Sequence, residues 1–241
     1  MQWFLILYII TNLLAAAICT TIAILAPQRI AQADWGFRLV VGITALWCAA
    51  SGLFFFNQSN NDFWIWTGIL LVAYVTIPAS WLCFIVQFTG DRLPSLAFLF
   101  LIPCATLVVY WNPDWSSLMW SINREDWFFG FSIAHYERGP WFKFVHIPYC
   151  YALNMLGQGY LVRALWQSRR KQNQPLLLLL LCGIIPLILN VLTLSPLYDP
   201  FRFFDLTPIG MSISSIFSAG DCPTINFFND RRLPTNKFLP A

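Results

Sequence analysis

The chain has 241 residues, of which 58% are hydrophobic and only 10% are charged, against roughly 25% in an ordinary soluble domain. Its formal net charge of +3 is scattered along the chain, which excludes the dense basic patch that nucleic-acid binding requires. A water-soluble chain is excluded as well, because so apolar a chain lacks the polar surface to stay dispersed in water.

The elements follow from the stretches that lack Asp, Glu, Lys and Arg. They cover residues 1–28, 39–61, 63–90, 93–113, 144–162, 172–198 and 206–220. A helix rising about 1.5 Å per residue needs roughly 20 apolar residues to cross a hydrocarbon core of about 30 Å. Six stretches reach that length or fall one residue short, and the seventh is short by about a turn and a half. The pattern predicts an all-α polytopic membrane bundle of seven transmembrane helices over residues 1–220. The spans are expected at about 3–26, 37–57, 63–87, 94–111, 141–166, 175–194 and 205–220.

The first span has no basic residue before Arg29 and is longer than a signal-peptide core of about 7–15 residues. It reads as a retained helix, although Ala15, Ala16 and Ala17 weakly imitate a cleavage site. Basic residues set the orientation. Arg29, Arg38, Arg92, Arg163, Arg169, Arg170, Lys171, Arg231, Arg232 and Lys237 fall on one side, and Arg124, Arg138, Lys143 and Arg202 on the other. The richer side is expected to be cytoplasmic, which puts the N-terminus outside and the C-terminus inside.

Seven cysteines, Cys19, Cys48, Cys83, Cys104, Cys150, Cys182 and Cys222, lie almost one per span with no metal or redox spacing. They read as small apolar packing residues, and neither a metal nor a cofactor is expected.

The connection from about Asn112 to Pro140 is the only long one. It is dense in aromatics: Trp111, Trp115, Trp120, Trp127, Phe128, Phe129, Phe131, Tyr136 and Trp141. One reading is an interfacial belt at headgroup depth; the other is a lid over an outward-facing pocket, since a structureless loop of this length usually has a task.

Polar groups inside the spans each cost several kcal/mol unless partnered. The chief cases are Asn12, His146, Asn154, Gln158, Asn190, Asp205 and Thr207. His146 lies a few residues into the fifth span and Asp205 opens the seventh from the same side, so a contact between them is geometrically allowed. It is read either as an interhelical hydrogen bond that fixes packing, worth roughly 1 kcal/mol, or as the polar floor of a ligand pocket or a protonation switch. Pro78, Pro103, Pro148, Pro186 and Pro208 sit inside the expected helices or near their ends, where each removes a backbone donor and tends to kink the chain.

Several strings, taken in order, resemble the seven-helix N-terminal sensor region found ahead of bacterial and archaeal histidine kinases and some diguanylate cyclases. They are Ile77-Pro78-Ala79-Ser80-Trp81 with Phe88-Thr89-Gly90, then Ile102-Pro103, then Trp111-Asn112 through Leu118-Met119-Trp120. Next come Gly139-Pro140-Trp141-Phe142 and His146-Ile147-Pro148-Tyr149-Cys150-Tyr151. The last are Arg169-Arg170-Lys171-Gln172, Ile185-Pro186 with Asn190, and Asp205-Leu206-Thr207-Pro208-Ile209. Where the family commonly carries histidine after the fourth helix, this chain has Ser116 and Ser117.

The resemblance implies a signal receiver. A small-molecule or membrane-dissolved cue shifts helix packing, and the seventh helix passes the shift to a cytoplasmic output domain. No kinase or cyclase motif follows the bundle here. Gly220-Asp221-Cys222-Pro223 stops the seventh helix, and residues 221–241 read as a polar tail, disordered or left by an interrupted reading frame.

The leading function is a sensory receptor module without its own catalysis. His146 and Asp205 are its expected polar ligand contacts, with Trp141, Tyr149 and Tyr151 as pocket walls. Expected partners are the lipid bilayer, a second copy of the chain, and a separate cytoplasmic kinase or cyclase. The runner-up is a small transporter or channel, opposed by the lack of an inverted repeat and of charges deep in several spans. An intramembrane enzyme is a distant third: the only histidines are His135 and His146, and no metal-protease motif or paired Asp at helical spacing accompanies them.

Overall fold

A computed structural model describes residues 2–25, 34–54, 60–92, 95–128, 131–168, 173–194 and 204–221. The first four helices are α1 (Gln2–Leu25), α2 (Asp34–Leu53), α3 (Asn60–Thr89) and α4 (Leu96–Trp111). A short helix α5 (Ser116–Met119) leads into strands β1 (Trp120–Phe128) and β2 (Phe131–Arg138). A single π-helical turn, Phe142–His146, then runs directly into α6 (Ile147–Gln167), followed by α7 (Asn173–Leu194) and α8 (Thr207–Asp221). The expected tail, from Cys222 onward, lies outside the described residues.

Four of these helices combine the length and apolarity needed to cross a membrane: Trp3–Leu25, Trp35–Leu53, Ile65–Thr89 and Gln174–Thr193. The other three helices of more than ten residues depart from that standard for different reasons. α4 is apolar but has only 16 residues, α6 carries Asn154, Gln158 and Arg163, and α8 has 15 residues.

Helices α2, α3, α6, α7 and α8 touch in sequence around a closed ring, with α1 in the groove between α2 and α8 and α4 against α3. α3 carries the core. Leu71, Ala73, Val75, Ala79, Cys83, Ile85 and Val86 are fully buried, because α3 has neighbours on several sides. The outer helices instead leave large apolar side chains uncovered, among them Trp3 (81% exposed), Phe98 (75%), Leu181 (55%) and Phe217 (55%). A band of this extent is stable where lipid covers it.

Many hydroxyls inside the spans are satisfied locally. Thr44 donates to the carbonyl of Val40, Thr76 to Val72, Thr106 to Ile102, Thr193 to Leu189 and Ser218 to Ser214, each four residues back. This back-bonding is how a helix carries Ser and Thr where no water can reach them. Other groups tie neighbouring helices: Gly36 N–H to Gln87 Oε1 (3.2 Å), Cys48 Sγ to the Pro208 carbonyl (3.4 Å) and Ser214 Oγ to the Cys182 carbonyl (2.8 Å).

The connection between α4 and α6 is not the structureless loop expected from its length. β1 and β2 pair antiparallel from Trp120↔Arg138 to Phe128↔Phe131, with one irregularity between Ile122 and Arg124. Aromatic and β-branched residues favour such a pleated surface, and the hairpin pairs backbone groups that a loop would leave to solvent. It is the only sheet among the described residues. The six described cysteines are all free thiols.

Candidate functional site

The hairpin returns the chain to the bundle through a tight corner at Gly139. Its N–H donates to the Met119 carbonyl at 2.8 Å, and Lys143 N–H donates back to the Gly139 carbonyl at 3.1 Å. A Cβ on Gly139 would collide with the backbone of Ser117 and Leu118, so the corner is closed to larger residues. Two residues after the π turn comes Pro148, which has no N–H and whose ring crowds the preceding turn. A widened turn just before it relieves that crowding, and such turns concentrate at functional sites.

The π turn delivers His146 into the ring, where it is 3% exposed. Its neighbours are aromatic and sulfur groups. Tyr74 of α3 meets it edge to face at 5.7 Å between centroids, Phe142 lies at 5.3 Å, and Cys150 Sγ is 3.5 Å from Nε2. Trp120 extends the cluster, at 6.3 Å from Tyr74, 5.9 Å from Phe142 and 5.6 Å from Tyr110. Arg138 caps it, its guanidinium carbon 5.8 Å from the Phe142 ring centroid. Burial pushes this guanidinium below its ordinary value, while nearby Tyr74 and Tyr151 act in the opposite direction; an arginine so placed still stays charged.

Asp205 is elsewhere. Its Oδ1 accepts from Thr207 N–H at 2.9 Å, a turn that starts α8, and its backbone carbonyl accepts from Tyr8 Oη at 3.0 Å. The allowed contact between His146 and Asp205 is therefore not formed as a hydrogen bond: each is held by a different set of helices. The other three expected residues brace α6. Trp141 Nε1 donates to Thr106 Oγ1 of α4 at 3.1 Å, Tyr149 Oη to the Leu99 carbonyl of α4, and Tyr151 Oη to Asn190 Oδ1 of α7 at 3.0 Å. His146 and Tyr151 thus lie on the ring side of the site, whereas Trp141 and Tyr149 fasten α4 to the outside of it.

Below His146 the polar side chains Cys150, Asn154 and Gln158 follow at four-residue spacing, which keeps them on one helical stripe. The stripe ends against Trp81 of α3. The Asn154 Oδ1, both amide atoms of Gln158 and the Trp81 indole Nε1 are buried without hydrogen-bond partners. Two glycines make room for them. A Cβ on Gly157 would stand 3.2 Å from Trp81 Nε1, and one on Gly183 of α7 would overlap the Gln158 amide and come within 2.8 Å of the Trp81 ring. Trp81 also lines a narrow cleft with Phe37, Phe84, Met211, Ser214 and Ser218.

Tyr74, Trp120, Phe142, Arg138 and Trp81 were not among the residues expected at the site. Tyr74 and Trp81 did carry a signal, being seven residues apart on one face of α3 with Pro78 between them.

No curated protein and no solved structure matches the chain. A family model does match: that of the N-terminal 7TM region of histidine kinase, over residues 11–228. The match takes in the whole ring, the hairpin and the π turn, and it agrees with a multi-pass, all-α membrane bundle. The chain belongs to the family of N-terminal seven-transmembrane regions of histidine kinases.

Proposed function

We propose that the chain is a membrane sensory module without its own catalysis, which receives a cue in its outer half and relays it by helix repacking to a cytoplasmic output domain. In this reading the hairpin faces outward and the Asp91–Arg163 ion pair (3.6 Å), at the other end of α3 and α6, faces the cytoplasm. A cue acts by binding two packings unequally. His146, Tyr151 and the aromatic floor beneath Arg138 are the receiving residues, and the polar stripe on α6 links them to the junction with α3 and α7.

The observation that carries the reading is the unpaired state of Trp81 Nε1 and of both Gln158 amide atoms where those three helices meet. Each unpaired buried group costs about 1–3 kcal/mol, so a small shift that joins them has free energy to gain. A junction of this kind is poised between packings, as a relay requires.

The test is a chimera in which this whole chain precedes a histidine-kinase catalytic region. Gln158→Met, Gly183→Ala and His146→Ala are expected to change autophosphorylation while membrane insertion persists. Kinase output equal to the parent in all three would overturn the reading. The same stripe also favours a second function, a small transporter or channel, since it runs along the ring. Solute flux through proteoliposomes separates the two, because a receptor moves nothing.

A further inference from the structure

Arg138 is, among the described residues, a cation without a counter-ion. Among the described residues no carboxylate lies within ion-pair distance of it, whereas Arg163, at the far end of the ring, has Asp91 at 3.6 Å. The groups acting on its guanidinium, among the described residues, are Phe142, Tyr74 and Tyr151, all uncharged at neutral pH. An aromatic face attracts the charge only weakly and accepts none of its five N–H donors in the plane of the fork. Partial burial there removes some of the water from the donors, and an anion on the fork would replace it.

The arginine is also held in place, which separates it from a solvated surface side chain. It is the last residue of β2, paired with Trp120, and the next residue is the closed corner at Gly139. Its guanidinium lies over Phe142, whose ring packs in turn on His146 at 5.3 Å.

We propose that Arg138 is the anchor of an anion-binding site at the outer mouth of the ring, taking a carboxylate or phosphate group. This rests on the sensory reading and names the chemistry of its cue: the acidic group binds the guanidinium fork, and its binding is felt at His146 through Phe142. The anion belongs either to a soluble small molecule or to a lipid headgroup.

The experiment uses the full chain in uncharged maltoside micelles, with tryptophan fluorescence following separate titrations of benzoate, inorganic phosphate and phosphatidylglycerol. At least one titration is expected to saturate, and Arg138→Met, which keeps an unbranched stem and removes the charge, should weaken it about tenfold or more. Arg163→Gln should bind as the parent does. Saturation by benzoate or phosphate identifies a soluble anion; saturation by phosphatidylglycerol alone identifies a headgroup. No saturation in any arm, or equal affinity in Arg138→Met, overturns the proposal. Should Arg138→Met fail to fold, Arg138→Lys serves, with binding weakened through loss of the bidentate fork; equal affinity there likewise overturns it. Binding is read without any output domain, so failure of the kinase chimera alone strikes the sensory reading and leaves the site standing.

Discussion

The side-chain amide of Gln158 on α6 rests against Gly183 of α7, in the space that a Cβ at residue 183 would occupy. Helix α7 can approach α6 this closely only because residue 183 has no side chain. Gly183→Ala is therefore expected to force the amide and the Trp81 ring outward and to destabilise the bundle by about 1–3 kcal/mol. Gly157→Ala, with its nearest contact at 3.2 Å, should cost less. Gly159→Ala meets nothing within 4 Å and should be neutral or stabilising by up to about 1 kcal/mol. Thermal unfolding of the three variants in one detergent reads this order, and equal midpoints for Gly183→Ala and Gly159→Ala would contradict it.

Gln158→Met keeps the length and flexibility of the side chain and removes both unpaired atoms. It is expected to stabilise the chain by about 1 kcal/mol or more, because the desolvation cost disappears and no hydrogen bond is lost. A lower unfolding midpoint in this variant would show that the amide has partners that compensate it.

His146 sits among rings, so its shape matters more to the fold than its nitrogens. His146→Phe is expected to cost less than about 1.5 kcal/mol, and His146→Ala about 2–4 kcal/mol through the cavity left between Tyr74 and Phe142. Chemical denaturation in mixed micelles separates them. Equal losses in both variants would assign the stabilisation to the imidazole nitrogens instead.

The Tyr151–Asn190 hydrogen bond joins α6 to α7 beside the site. A double-mutant cycle with Tyr151→Phe and Asn190→Leu should give a coupling near 0.6 kcal/mol and no more than about 1.7, the range for such bonds in membranes. Additive effects would mean that the two side chains stabilise the bundle independently.

The membrane helices were legible because charge is expensive in lipid. The uncharged stretches 63–90 and 172–198 contain most of α3 (Asn60–Thr89) and α7 (Asn173–Leu194). The hairpin was hidden because the density of aromatics between Trp115 and Trp141 reads equally well as an interfacial belt. The partners of His146 were hidden for a different reason. Helices that are apolar on every side give no periodic signal of which face meets which neighbour, and the π turn at Phe142–His146 shifts the face of α6 by a residue. Asp205 shows the same limit: its contact with Tyr8 spans 197 positions, and depth alone matched it as well with His146.

Helices α3 and α4 pack side by side although α3 has 30 residues and α4 only 16. At about 1.5 Å per residue they run roughly 45 and 24 Å, one longer and one shorter than a hydrocarbon core of about 30 Å. No single flat slab matches both rods. Acyl chains must shorten beside α4, or the whole ring must lean until α3 fits, and either adjustment costs a fraction of a kcal/mol per Å. Lipid tail length thereby becomes a variable of the fold itself, acting on the bundle from the side opposite any molecule that enters at its mouth.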